Sequence, residues 1–255
     1  EAGKELFENK SESFSVTHDD VSLNLKIKDT IDNRLRSLSL EKKVIGFYLS
    51  GHPIKEYQEE ISSMSIKSIA SYFDKLYSAD IDDDFSEHGT VSGVITSIRS
   101  QRMGKDRFIN ILSIDDSTHR LEIILFSDVY EKYRNLIKEN EVLFFSGVIA
   151  VDDYNGDLSM KATKVIDMDS ARQQYSKEIE IFILPEHIND NILARIVHLL
   201  EPHKNGKCPL TIKCLSNQHI VPLELDNEWL INPSSTLING LSDLLGKENI
   251  IVKYE

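Results

Sequence analysis

The 255-residue chain is 40% hydrophobic and 28% charged, with a formal net charge of -13, a balance suited to two or three globular domains with cores of their own. No apolar run approaches the roughly 20 residues that a membrane-spanning helix requires. The cysteines, Cys208 and Cys214, fit no metal spacing and no disulfide framework, which points to a reducing cytoplasm. So acidic a chain is excluded as a general phosphate binder, because phosphates need local positive potential. The acid is unevenly spread, however: residues 90–166 hold 10 Lys and Arg against 11 Asp and Glu, a nearly neutral stretch inside an acidic chain.

The chain opens at Glu1 without the basic-then-apolar run of a signal peptide, and it is expected to be a fragment of a longer protein. Residues 1–18 show no periodicity and are expected to be a flexible tail. Residues 19–77 read as helices. Within "EKKVIGFYLSGHP" (41–53), Val44, Ile45, Tyr48 and Leu49 share one helical face and are expected in a core. Gly51 and Pro53 then supply a helix stop and a restart. His52 sits in the corner between them with no second His, Cys or carboxylate at ligand spacing, so its expected role is structural, as a cap or hydrogen-bonding group. The next helix begins at Pro53, with Ile54, Tyr57 and Ile61 at helical spacing. The acidic run "SADIDDDFSEHG" (78–89) is expected to be a linker.

From Thr90 the period changes to that of strands. "TVSGVITSIRS", "DRFINILSIDD" and "HRLEIILF" are rich in β-branched residues and end in polar turns. "SDVYEKYRNLIKEN" reads as a helix with Ser127 as its N-cap, and two further strands follow, joined by a tight turn at Asn155-Gly156. This order over residues 90–168 is that of an OB-fold, a small closed Greek-key barrel that binds oligonucleotides. Between the first two strands "SIRSQRMGKDRF" (97–108) forms a basic loop, with Arg99, Arg102, Lys105 and Arg107 against Asp106 alone. Those cations, with Phe108 for base stacking, make a candidate single-strand site; Lys161, Lys164 and Tyr154 are further candidates. No base-reading constellation is visible, so binding there should be sequence-tolerant and salt-dependent.

Residues 169–255 read as β, α, β, β, α, β, the element order of a ferredoxin-like sandwich. The fold class expected for the whole chain is therefore multi-domain α + β, with a helical joint, a five-stranded OB barrel and a ferredoxin-like C-terminal domain. Trp229, the one tryptophan, is either a core residue or an aromatic anchor for a partner protein. Asp82 and Asp84 resemble the Mg²⁺ ligands of a nuclease or nucleotidyltransferase, but they lie in the expected linker with no third carboxylate beside them, and are read as solvated charge.

The motif "GFYLSGHP" (46–53), with "LSIDDSTHRLEIILFSDVYEKY" (112–133), "SGVIAVDDYNGDLSMKATKVIDMDSAR" (146–172) and "LLEPHKNGKCPL" (199–210), resembles the C-terminal region of the bacterial replicative DNA polymerase III alpha subunit. The resemblance implies that GFYLSGHP is an architectural joint. It also implies an OB domain that holds single-stranded template and a C-terminal domain that docks the tau subunit of the clamp loader, with Trp229 a candidate there. Polymerisation in that family belongs to a palm with three metal-binding aspartates upstream, so neither a catalytic residue nor a metal or other cofactor is expected in this chain. The family's clamp-binding peptide, Gln-x-Asp/Ser-Leu/Met-Phe, has a partial counterpart in Glu5, Leu6 and Phe7. Gly3 stands where the Gln would fill a polar pocket.

Overall fold

The computed structural model describes residues 31–46, 48–78, 85–103, 107–152, 156–188, 191–216 and 219–254. Glu5, Leu6, Phe7, Asp82, Asp84, Lys105 and Tyr154 lie outside the described residues.

Helix α1 (Ile31–Ile45) stops sooner than its apolar spacing suggests, because Gly46 takes φ +92°, a left-handed turn at which glycine carries no steric penalty. Beyond it the helical register is broken, and the expected core face does not form. Val44 and Leu49 are 82% and 70% exposed, and Ile45 is exposed as well. Only Tyr48 turns inward, its hydroxyl donating to Asn140 Oδ1 at 2.8 Å. The corner is held by polar groups instead. The Glu41 carboxylate accepts from the Leu49 and Ser50 N–H groups at 3.1 and 3.0 Å and from the Ser50 hydroxyl, and these bonds, the hydroxyl's foremost, hold its pKa below the usual value.

His52 caps the 3-10 turn Pro53–Glu56: its Nδ1 accepts from the Ile54 N–H at 3.4 Å, and its Nε2 lies 3.4 Å from Asp115 Oδ1 on the barrel described next. A neutral ring protonated on Nε2 satisfies both contacts at once. The histidine thus ties the joint to the barrel. Two short helices follow, α2 (Gln58–Ser63) and α3 (Ile69–Ser78). The first turn of α3 is seated by Asp116, whose Oδ2 accepts from the Ile69 N–H at 2.7 Å.

Five strands close into a barrel in the order β1-β2-β3-β5-β4: β1 (Ser86–Met103), β2 (Arg107–Asp115), β3 (Arg120–Phe126), β4 (Val142–Val151) and β5 (Leu158–Ile166). Antiparallel pairs form every seam except the parallel one between β3 and β5. Alternate residues point inward, so that Leu112, Ile114, Leu121, Ile123, Leu125, Phe145, Ile149 and Met160 fill the interior. Ile69 and Tyr72 of α3 join the same core. Tyr72 fits there because Gly89 leaves room; a Cβ at that position would stand 2.2 Å from the tyrosine oxygen.

Three boundaries differ from the sequence-based expectation. Residues 86–89, expected in the linker, pair with residues 147–150 as the start of β1. At its other end β1 runs on through Met103, so most of the basic segment is hairpin stem rather than loop. Helix α4 (Ser127–Tyr133) is short, and the Ser127 hydroxyl donates to Phe108 O at 2.6 Å instead of capping its own helix.

Helix α5 (Met168–Tyr175), capped by Asp167, leads directly into a four-stranded sheet of order β10-β6-β8-β9. Its elements are β6 (Ser176–Ile183), α6 (Ile192–Leu200), the short β7 (Lys204–Cys208), β8 (Leu210–Ser216), β9 (His219–Glu224), α7 (Ser235–Leu245) and β10 (Ile250–Tyr254). Ile179, Ile181, Ile183, Leu210 and Ile212 pack against Ile196, Leu200, Leu237, Leu241 and Leu245 of the two longer helices. The strand order corrects the ferredoxin-like expectation. In that arrangement another strand splits the βαβ unit, whereas β6 and β8 are direct parallel neighbours with Ile181 opposite Ile212. Pro222 gives the reason: it lacks an N–H, so β9 is tolerated at a sheet edge and not between two strands.

The three regions meet at Arg172, which is 3% exposed. Its Nε and Nη2 bond the two oxygens of Glu60 on α2 at 2.7 and 2.8 Å, and Nη1 reaches Asp169 Oδ1 at 2.9 Å and the Ser235 hydroxyl at 2.6 Å. Tyr254 donates to the same Glu60 carboxylate. Burial disfavours the guanidinium's charge, yet Glu60 and Asp169 outweigh it and hold its pKa above the ordinary value. Replacing Arg172 with Ala strands those carboxylates and is expected to cost about 3–5 kcal/mol, measurable by denaturant unfolding. A second expectation concerns pH. Burial holds the His52 pKa below its usual value, with Asp115 acting in the opposite sense. The unfolded chain therefore protonates there first as pH falls, so the stability that neutral His52 contributes is complete above about pH 6.5 and is lost below it. Thermal midpoints taken from pH 7.5 down to about 5.5 should accordingly fall more steeply in the unsubstituted chain than in His52→Gln.

Candidate nucleic-acid interface

Directly opposed residues of an antiparallel pair share a face of the sheet, and the β1–β2 register sorts the basic segment accordingly. Arg99 stands opposite Ile111, Gln101 opposite Ile109 and Met103 opposite Arg107, all on one face, while Arg102 stands opposite Phe108 on the other. Arg99 and Arg102, expected together in one loop, thus stand on opposite faces of the hairpin. Arg99 and Arg102 are exposed, as is Phe108 at 52%.

The face that carries Arg99 is the outer face of β2 and β3. On β3 the buried residues Leu121, Ile123 and Leu125 point into the barrel, leaving Glu122, Ile124 and Phe126 outside. Ile109 pairs with Phe126 and Ile111 with Ile124, which makes a continuous apolar patch on the outer wall. Ile109 and Ile111 are 8% and 6% exposed although they stand outside the barrel core, while Phe126 is 46% exposed. Lys161 of β5 is exposed opposite Ile124 and borders the patch. Lys164 lies on the β4 side, opposite Ser146, and donates to Gln174 of α5.

The patch has one internal brake. Arg99 Nη2 is 2.6 Å from Glu122 Oε1, an exposed pair across the strands. A phosphate arriving at Arg99 competes with that carboxylate, although so exposed a pair is weak. Phe126, Ile109, Ile111, Ile124 and Glu122 were not singled out from sequence. The alternation within "RLEIILF" carried the signal for the β3 members, since three alternate apolar residues fix the inward face and leave the remainder outside.

The other candidates fall elsewhere. Trp229 packs against the C-terminal core, with Lys204 Nζ 3.6 Å from its ring centroid. The Cys208 thiol is buried, and burial with the nearby Glu178 pushes its pKa up to about 11, which leaves it unreactive. Among the described residues no group of three or more His, Cys, Asp or Glu side chains is arranged to hold a metal ion.

Comparison with known proteins agrees with this division. A family model described as OB-fold nucleic acid binding domain matches residues 90–168, and one described as DNA polymerase III subunit alpha, C-terminal domain, matches residues 195–246. The DNA polymerase III subunit alpha of Escherichia coli strain K12 is 31% identical over 218 residues, and that of Vibrio cholerae 29% over 214; each alignment covers 84% of this chain and 18% of the relative. Among solved structures, the second single-stranded DNA binding protein of Mycobacterium smegmatis overlaps 34% of this chain and 92% of its own at 16% identity, with a TM-score of 0.30. The last overlap is too low to bear on function. Over 84% of its length the chain is thus similar to bacterial DNA polymerase III alpha subunits, and it spans 18% of the length of those relatives.

Proposed function

We propose that the chain serves DNA replication as a non-catalytic part of a polymerase III alpha subunit, holding single-stranded template on its barrel and docking the tau subunit of the clamp loader through its C-terminal domain. The carrying observation is the outer face of β2 and β3, where Phe126 and a wall of isoleucines lie between Arg99 and Lys161. An aromatic ring offers a base a stacking surface of any sequence, worth about 1–3 kcal/mol per base, and the flanking cations meet the phosphates. Arg102, Lys105, Arg107 and Phe108 of the same hairpin are further candidates, Arg102 and Phe108 on its opposite face, with Tyr154 a further stacking candidate and Lys164 a more remote one.

In this reading the polymerase active site and its Mg²⁺ lie outside the chain, and its work is tethering. A weak template contact and a protein contact raise the effective concentration of a distant active site without high affinity at either one. The peptide with Glu5, Leu6 and Phe7 adds a weak hold on the sliding clamp, and the setting is the cytoplasm. A second reading, a scaffold that contacts only protein, is favoured by the Arg99–Glu122 pair, which occupies a central cation of the face.

Fluorescence anisotropy of a labelled oligo-dT of about 20 nucleotides separates the two readings. Template holding requires binding that weakens steeply with salt and is lost when Arg99, Arg102, Lys105 and Arg107 are all changed to Ala. Phe126→Ala should weaken it about tenfold, and Glu122→Gln, which releases Arg99, should strengthen it. No binding at low salt by the unsubstituted chain would leave the protein-only scaffold.

A further inference from the structure

On the outer wall of the barrel a cation and a carboxylate stand side by side within reach of the same bound base. Strand β2 lies between β1 and β3, so Arg99 and Glu122 reach toward each other across it and meet at 2.6 Å. Ile111, directly opposite Arg99 in the register, faces outward and is nevertheless only 6% exposed. The outward residues of β3 run Glu122, Ile124, Phe126. At about 3.3 Å per residue, the backbones of Glu122 and Phe126 are about 13 Å apart with Ile124 midway. One base laid on Ile124 fits that interval, its face on the apolar side chains and its edge toward the pair.

A phosphate and a base meet the pair differently. Toward a phosphate it is neutral and offers little net attraction. Toward a base edge it offers a donor beside an acceptor. Among the described residues Arg99 spends one N–H on Glu122 Oε1, and Glu122 Oε2 accepts no bond. A guanidinium has five N–H donors and a carboxylate about four lone-pair sites, so both groups can bond further. The side chains are 60% and 40% exposed, and so exposed a pair rearranges at little cost.

A carboxylate only accepts, so it selects the base edge richest in donors. Guanine presents two adjacent donors, N1–H and N2–H, with the acceptor O6 beside them. Thymine, cytosine and adenine each present a single donor group next to an acceptor. We propose that Arg99 and Glu122 read the pairing edge of the base held on Ile124 and favour guanine there, N1–H and N2–H donating to the two Glu122 oxygens while Arg99 donates to O6. The inference rests on template holding by this face and deepens it. Stacking tolerates every base, and the pair adds a preference at one position. The two residues are 23 apart in sequence, and only the register of β1, β2 and β3 brings them together.

The test is fluorescence anisotropy of the full chain with four labelled single strands of about 20 nucleotides. One is oligo-dT; in the others every fourth thymidine is replaced by deoxyguanosine, deoxyinosine or deoxyadenosine. Deoxyinosine keeps the ring size, O6 and N1–H of guanine and lacks only the N2 amino group. The guanine strand is expected to bind about fivefold to tenfold more tightly than oligo-dT, and the inosine strand to lose most of that gain. Glu122→Gln, which keeps one acceptor oxygen, should weaken the guanine strand while strengthening oligo-dT, an inversion that poor folding cannot produce. Equal affinity for the guanine, inosine and adenine strands overturns the proposal, because any gain over oligo-dT is then purine stacking, and it leaves template holding intact. No binding of any strand at low salt removes template holding and the proposal with it.

Discussion

The guanidinium of Arg172 is buried where helix, barrel and C-terminal sheet converge, and it bonds Glu60, Asp169 and Ser235 there. A buried charge is tolerated only when opposed and fully hydrogen-bonded, and here its bonds end on residues 60, 169 and 235, drawn from three parts of the chain. Apolar packing alone would permit small rotations of one unit on another. A planar fork with bidentate geometry does not. The third hydrophobic cluster, in which Ile54, Ile61, Val94, Phe144 and Met168 meet, supplies the burial, and Arg172 sets the angle.

Polar groups do similar work at the GFYLSGHP corner. Glu41 clamps two successive N–H groups, His52 spans from the 3-10 turn to Asp115, and Lys42 and Tyr48 both donate to Asn140, in the connection that leads into β4. Such bonds contribute little singly, but each is directional. The corner is therefore stiff while its apolar residues face outward, and the barrel is presented at a fixed attitude to whatever lies beyond α1.

Much of this was legible in the sequence. The barrel strands were, because alternation of apolar and polar residues over seven or more positions leaves little choice of face. The division of the basic segment was not, since composition counts Arg99 and Arg102 alike, and only the register with β2 shows that they point apart. The apolar run of residues 44–49 misled for a local reason: Gly46 can either continue a helix or end it, and only the observed φ decides. In the C-terminal domain the element order was readable and the strand order was not, although Pro222 held the answer. Beyond the i, i+3 spacing of Asp169, the Arg172 cluster had no sequence signal, because Glu60 is 112 residues distant from it.

The same proline has a consequence for assembly. The sheet possesses two unlike margins: β9 carries Pro222, which has no N–H to offer, and β10 contains no proline. Growth of cross-strand ribbons requires that a free margin on one molecule match a different free margin on the next, repeated without end. A sheet with a single receptive margin cannot propagate. Two copies joined through β10 would consume both receptive margins and stop, so an open edge is compatible with solubility in this fold because its opposite edge is sterile.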